Sequence, residues 1–320
     1  MKIVVTGGSG FLGKAVVEKL AIGGQEVLSL SRGQTTTPSV TDRRCDILDT
    51  ARLAELFKGQ DCVVHCAALS SPWGKRQDFL RQNVEGTTSV VAAAARANVK
   101  RLIHISSSSV YFSFRDQLAI TEDASWPNPA NTYAESKQKA EIAAAQFSNE
   151  LFILRPRGIY GPGDLHLLPR LLRVMKSRPL PLLRSGKALV DLSHVLIVAD
   201  AIAAMTAAKS DAAGTYNVSH GKPISIKDLI ARVAAGLNIE NRWRKIPVGV
   251  AMAAAKLLEA AARLDPKGRE PLVTAYGLGL FAYSQTLDIS KAARNLHWRP
   301  QISLDQGLEQ TFANLQTPAK

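Results

Sequence analysis

Lys2-Ile3-Val4-Val5-Thr6 runs directly into Gly7-Gly8-Ser9-Gly10-Phe11-Leu12-Gly13. An apolar strand here breaks into a glycine-rich turn, and a helical pattern follows it. Glycines let the backbone turn sharply and come close to a pyrophosphate, while the next helix aims its unpaired N–H groups and positive dipole end at the anion. The spacing reads as G-x-G-x-x-G through Gly8, Gly10 and Gly13, and as G-x-x-G-x-x-G through Gly7, Gly10 and Gly13. Any tight strand-to-helix turn can use glycine. The strand before and the helix after are the context that a dinucleotide site requires.

Outward from that turn, strand and helix signals alternate. Apolar strands are read at 2–6, 26–30, 61–66, 101–105 and 151–154, with helical patterns at 11–22, 50–58, 78–97 and 132–148. This alternation predicts an α/β fold, a doubly wound parallel sheet of the Rossmann type, with ligands at the carboxyl ends of its strands. Past Arg155 the texture changes to Pro156, Gly158, Gly161, Pro162 and Gly163, then Pro169, Pro179 and Pro181. Such breakers fit excursions from the sheet. The expected organisation is a dinucleotide-binding domain over 1–160, with a return at about 190–219, and a smaller substrate-binding lobe from 161–189 and 220–320.

The bulk numbers set limits. The 320 residues are 46% hydrophobic and 21% charged, which fits a globular protein with a substantial core. Residue 1 leads straight into the first strand, so no signal peptide is expected, and the location is expected to be cytoplasmic. The apolar stretch from Ile246 to Leu264 carries Lys256, Glu259 and Arg263. A span needs about 20 mainly apolar residues, so this reads as a packing helix rather than an integral membrane segment, with peripheral membrane contact as the second reading. The net charge of +13 is scattered, which argues against nucleic acid and suits anionic small molecules. Cys45, Cys62 and Cys66 form no C-x-x-C pair, and no set of ligands has metal spacing.

Three groups of residues carry chemistry. The second strand ends Leu28-Ser29-Leu30-Ser31-Arg32. An acid there would accept from the ribose of NAD, whereas a basic group accommodates the 2′-phosphate of NADP. Arg32 therefore favours NADP(H), with NAD(H) the alternative. Asp46, beside Ile47, fits either as an acceptor for the adenine amino group or as a turn residue. His65, before Cys66-Ala67-Ala68, reads as a buried strand histidine rather than a catalyst. Tyr133 and Lys137 stand at i and i+4 and share a helical face. A free phenol has a pKa near ~10, and a nearby ammonium lowers it toward the range of a useful proton exchanger. A hydroxyl from Ser106-Ser107-Ser108-Ser109, at another strand end, would hold the substrate oxygen beside the phenol.

Taken together these motifs resemble the extended short-chain dehydrogenases/reductases, the NAD-dependent epimerase/dehydratase superfamily, over nearly the whole chain. The motifs are T-G-x-x-G-x-x-G at Thr6 to Gly13, Ala67-Ala68, Asn83 to Thr87, the serines before Val110-Tyr111, Y-x-x-x-K, and Arg155 to Asp164. Tyr216-Asn217-Val218 and Leu287 to Ala292 add later matches. The resemblance implies Ser107, Tyr133 and Lys137 as the catalytic set, with Ser108 the runner-up to Ser107. It implies cofactor contacts from Thr6, Gly7, Gly10, Phe11, Leu12, Gly13, Ala67, Ala68, Asn83, Lys137, Arg155 and Pro156. A homodimer is expected by the same analogy.

Departures from the family narrow the reaction. Dehydratases usually carry Asp-Glu after the active hydroxyl, and this chain has Ser108-Ser109. Epimerases commonly place an arginine before the aspartate at Asp191, where this chain has Val190, a poor partner for a diphosphate. The Arg155–Asp164 segment, continuing through His166 to Leu172, and Ser70-Ser71-Pro72-Trp73-Gly74 look nearest the 3β-hydroxysteroid dehydrogenase-like branch. The expectation is an NADP(H)-preferring oxidoreductase for a secondary alcohol or ketone on a hydrophobic, sterol-like molecule. A sugar-nucleotide epimerase is the first alternative, and a non-catalytic NAD(P)-sensing protein the second.

Overall fold

The computed structural model describes residues 1–33, 37, 40–165, 167–265 and 269–316. His166, part of one motif quoted above, and the last four residues of the expected substrate lobe lie outside them. The main sheet has seven strands: β1 (Lys2–Thr6), β2 (Glu26–Ser31), β3 (Thr41–Arg44), β4 (Cys62–His65), β5 (Arg101–Ile105), β6 (Glu150–Pro156) and β7 (Gly214–Val218). Their order is β7-β6-β5-β4-β1-β2-β3, and every pairing is parallel. The winding reverses between β1 and β4, which opens a crevice at the carboxyl ends of those two strands.

Alternate residues of the central strands feed two cores, one on each face. Val5, Val64, Ile103 and Leu154 pack against Val16, Leu20, Val198 and Ile202, from the helices Phe11–Ile22 and Val195–Ala207. Val4, Val63 and Leu102 face Leu53, Phe57, Val90 and Ala94 on the other side. Burial on both faces explains why these strands read as continuous apolar runs. The strand β3 escaped the sequence reading because Thr41-Asp42-Arg43-Arg44 has no apolar pattern. It is the sheet edge, where one side stays wet and charges guard against further pairing.

The helix expected over 78–97 is divided. Arg76–Phe79 is helical, Leu80–Glu85 forms a π-helical turn, and Gly86–Arg96 resumes the α-helix. Apart from β7 and the helix Val195–Ala207, most residues after Pro156 build smaller units, joined by Gln117–Ile120 from before it. A four-stranded sheet takes Ile224–Ser225, Leu189–Val190, Gln285–Leu287 and Gln117–Ile120 in that order. Its neighbours are a core around Ile230, Val233 and Leu308 and another around Leu183, Ala255 and Leu278. The helix Ala275–Ala282 lies against Phe112 and Phe114. A Cβ on Gly279 would stand 2.9 Å from both rings, so this approach requires glycine. Among the described residues, no helix is long and apolar enough to cross a membrane.

Candidate active site

The glycine turn sits at the carboxyl end of β1, and its geometry accounts for its composition. Gly7 has φ +73°, and a Cβ there would lie 2.7 Å from the Ala67 backbone. A Cβ on Gly13 would be 2.0 Å from the Gly7 carbonyl oxygen, so the helix could not pack this tightly on the turn. Gly10 N–H donates to the Gly7 carbonyl at 2.9 Å and closes the loop. No side chain caps the Phe11–Ile22 helix at Gly10, which leaves its N-terminal dipole for a ligand.

Beyond the turn is a cleft of about 530 Å³, lined by Gly7, Ser9, Gly10, Arg32, Asp46, Ile47, Ala67, Ala68, Asp78 and Arg81, among others. Arg32 is exposed at the rim. Asp46 lines the same cleft while its Oδ1 accepts from Leu48 N–H at 3.0 Å, so the turn role and a ligand-facing position coexist. Phe11 and Leu12 form the first turn of the helix and are half-buried. Pro156 closes β6, where it pairs in register with Val218.

The helix Thr132–Ala144 carries the tyrosine and the lysine, and Lys137 comes within electrostatic reach of Cys66 in the lining of this cleft. Asn131 caps it, accepting from Ala134 N–H at 2.8 Å, and so sets where Tyr133 enters the first turn. Phe79 braces the phenol ring edge-on, with centroids 6.4 Å apart. Burial raises the Tyr133 pKa, and hydrogen bonds with the Ser107 and Ser70 hydroxyls work against that rise. Ser107 Oγ accepts from Ser109 N–H at 3.1 Å, which leaves its own proton free to donate. Of its neighbours, the Ser106 hydroxyl is engaged elsewhere, while Ser109 Oγ is buried without a partner among the described residues. Ser106 donates to Glu141, and the Ser108 carbonyl accepts from Gln285 Nε2 at 3.3 Å.

Lys137 is 3% exposed, and its Nζ donates to the Ile105 carbonyl at 2.7 Å, at the end of β5. Burial lowers its pKa to about 8, with Glu141 and Cys66 pulling the other way. The consequence for stability has a definite sign. Between about pH 8 and the ordinary lysine value of 10.5, the unfolded chain binds the proton and the folded one does not. The Lys137 contribution therefore improves as pH rises through that window. In urea titrations at pH 7.5 and pH 10, the stability difference between the wild type and Lys137→Met should shift toward the wild type at the higher pH.

Several expected cofactor residues are also tied to protein partners. Thr87 Oγ1 donates to the Asn83 carbonyl at 2.6 Å, so it receives His65 Nε2–H at 3.0 Å, and His65 Nδ1 then accepts from Thr6 Oγ1 at 2.8 Å. Burial and the Lys137 ammonium lower the His65 pKa to about 3 and keep the ring neutral. Thr6 thus holds the histidine, which is the buried strand residue expected of it. Asn83 is 1% exposed. Its amide grips both backbone atoms of Leu69, at 2.7 and 3.1 Å, and donates to Ser136 Oγ at 2.8 Å. The π-turn points it there, tying the loop after β4 to the Tyr133 helix.

The Arg155 guanidinium is enclosed and engaged. Nε and Nη2 bind the Glu141 carboxylate at 2.9 and 2.6 Å, while Nη1 donates to Tyr111 Oη and to the Glu122 carbonyl. Tyr111 and Trp126 stack on it, with centroids 4.9 and 5.4 Å away. Tyr111 in turn donates to Asn217 Oδ1 at 3.1 Å. The family motifs around Arg155 and Asn217 are here one structural network.

Reading the sequence alone missed two residues near the phenol. Ser70 lay within a quoted motif but had no assigned role. Tyr276, on the Ala275–Ala282 helix, is in electrostatic reach of Tyr133. No local pattern signals a residue that arrives from about 140 positions away, on another unit.

Known proteins resemble this chain in sequence and fold. The profile of the NAD dependent epimerase/dehydratase family matches residues 3–219. A 4-hydroxy-2-methyl-3-oxo-4-farnesyl-3,4-dihydroquinoline-1-oxide ketoreductase of Stigmatella aurantiaca is 30% identical, over 97% of this chain and 95% of that one. A 2-alkyl-3-oxoalkanoate reductase of Shewanella oneidensis is 29% identical, covering 97% and 85%. The decarboxylating sterol-4-alpha-carboxylate 3-dehydrogenase of Mus musculus is also 29% identical, covering 97% and 90%. The solved structure of MoeE5 with UDP-glucose and NAD superposes with a TM-score of 0.78 at 24% identity, covering 99% of both chains. The chain belongs to the NAD dependent epimerase/dehydratase family and is an NAD(P)-dependent oxidoreductase of the extended short-chain dehydrogenase/reductase type, with sterol dehydrogenases among its homologues.

Proposed function

We propose that the protein interconverts a secondary alcohol and a ketone on a hydrophobic small molecule, with NADP(H) as its preferred cofactor. The observation that carries this reading is the buried Lys137, one helical turn from the Tyr133 phenol, with its ammonium at the end of β5 and in electrostatic reach of Cys66 in the lining of the dinucleotide cleft. When bound, the nicotinamide supplies or accepts the hydride. Tyr133 gives the carbonyl oxygen its proton, or takes it from the alcohol, and the Ser107 hydroxyl holds that oxygen in place. In this reading Lys137 stabilises phenolate and holds the nicotinamide ribose. Burial keeps the phenol protonated at neutral pH, which suits the reducing direction. The ketoreductase and oxoalkanoate reductase named among the relatives support the same chemistry.

The cofactor preference rests on Arg32 at the rim of the cleft, where a 2′-phosphate would meet a guanidinium. Arg32→Ala should raise the dissociation constant for NADPH by roughly 10-fold to 100-fold, the worth of a charge-assisted hydrogen bond, and change that for NADH little. Fluorescence titration of both cofactors checks this, and equal losses would refute the assignment. Turnover of a ketone panel with NADPH tests the reaction itself.

A further inference from the structure

The apolar stretch from Ile246 to Leu264 folds as the helix Val248–Arg263, capped at Leu264, and only one side of it packs. Ala251 and Ala255, four residues apart, are buried and share a core with Leu278 and Ala282 of the next helix. Glu259 ties the helix down further, its carboxylate accepting from Ala275 N–H at 2.7 Å. The opposite face stays open. Val250 is 62% exposed, Leu257 73%, Leu258 49% and Leu264 84%, and Ala254 and Ala261 are exposed with them. Spacings of three and four residues line these six up as one apolar stripe along the helix. The solvent side of a surface helix is normally polar, so such a stripe marks an interaction surface.

Cations accompany the stripe. Lys256 and Arg263, seven residues apart, share one edge of the helix, and both are exposed. Just before the helix, the strand Trp243–Lys245 carries Arg244 and Lys245. It pairs with Leu180–Leu182, which closely follows the exposed Lys176 and Arg178. Among the described residues, none of these six cations has an ion pair. The acids flanking the helix in sequence are already committed. Glu240 pairs with Arg242 at 3.6 Å, Asp265 with Arg269 at 2.7 Å, and Glu270 with Arg170 at 2.5 Å.

We propose that this face docks on an anionic lipid membrane, with the stripe at the acyl boundary and the cations among the headgroups. The helix lies in the surface and does not cross it. Its 16 residues extend about 24 Å, short of a hydrocarbon core of roughly 30 Å, and its inner face is held by protein. Apolar area supplies the insertion, and the unpaired cations supply the attraction to acidic lipid. A second copy of this chain is the poorer occupant. A twofold contact would set the same basic edge against itself, on a chain of net charge +13. Docking is independent of the chemistry assigned to Tyr133.

Flotation of the full chain with vesicles tests this, using phosphatidylcholine alone or with about one-third phosphatidylglycerol. The chain should float with the acidic vesicles and bind the neutral ones roughly 10-fold more weakly. Leu257→Ser with Leu258→Ser keeps every charge and should weaken binding to acidic vesicles about 100-fold. Lys256→Gln with Arg263→Gln keeps the stripe and should weaken it about 10-fold, an effect that high salt removes. These positions are exposed, so melting temperature and NADPH affinity should match the wild type in both variants. A wild type that stays behind when acidic vesicles float at low salt would overturn the proposal. So would equal flotation of the serine variant, the mark of adsorption through net charge alone. A dimer in sedimentation that the serine variant dissociates, without vesicle binding, would overturn it in favour of a second copy.

Discussion

Tyr133→Phe should reduce turnover about 1,000-fold while the cofactor dissociation constant moves less than twofold. The substitution deletes one oxygen and leaves the ring packed on Phe79, so the fold and the dinucleotide cleft keep their shape. What disappears is the proton carrier, and general acid–base catalysis by a placed side chain contributes about 10²- to 10⁴-fold. A neighbouring hydroxyl cannot replace it. Ser107 is a far weaker acid than a phenol, and Ser70 is exposed on the loop after β4. Stopped-flow NADPH oxidation, paired with cofactor titration, checks the split between kcat and binding. Retained turnover would remove Tyr133 from the mechanism.

The second large effect concerns stability. Arg155→Met should cost about 3–5 kcal/mol, the range for removing one partner of a buried ion pair. Arg155 is 5% exposed and Glu141 3%, so the carboxylate left behind would face the interior unpaired. The loss also spreads. The guanidinium joins β6, the Thr132–Ala144 helix, Tyr111 and the Glu122 backbone, and Tyr111 extends the network to Asn217 on β7. Urea unfolding measures it. A double substitution with Glu141→Leu should recover part of the loss, because no orphaned charge then remains.

Much of this was legible in the chain itself. The central strands read correctly because a parallel strand buried on both faces must be apolar throughout. The Thr132–Ala144 helix carried its chemistry visibly, since i and i+4 share a face whatever the tertiary context. The remote partners of other motif residues were not legible. Thr6, Asn83 and Arg155 carry family motifs that implied the cofactor, yet the folded chain gives each a protein partner: His65, Leu69 and Glu141 respectively. The polar edge strand β3 and the π-turn at Leu80–Glu85 have no apolar periodicity to announce them.

The sequence by itself determined the glycine turn, the winding of the sheet, the family, and the pairing of Tyr133 with Lys137. All of these depend on residues near one another along the chain, where backbone geometry sets what is adjacent. Only the tertiary structure buried Lys137 against the Ile105 carbonyl at the end of β5. Among the described residues it also left Arg157 Nε without a partner while Arg155 found a carboxylate. Such outcomes are decided by which segments meet across the sheet and above it, and burial makes each meeting count: an unpartnered polar group costs little in water and much inside a protein.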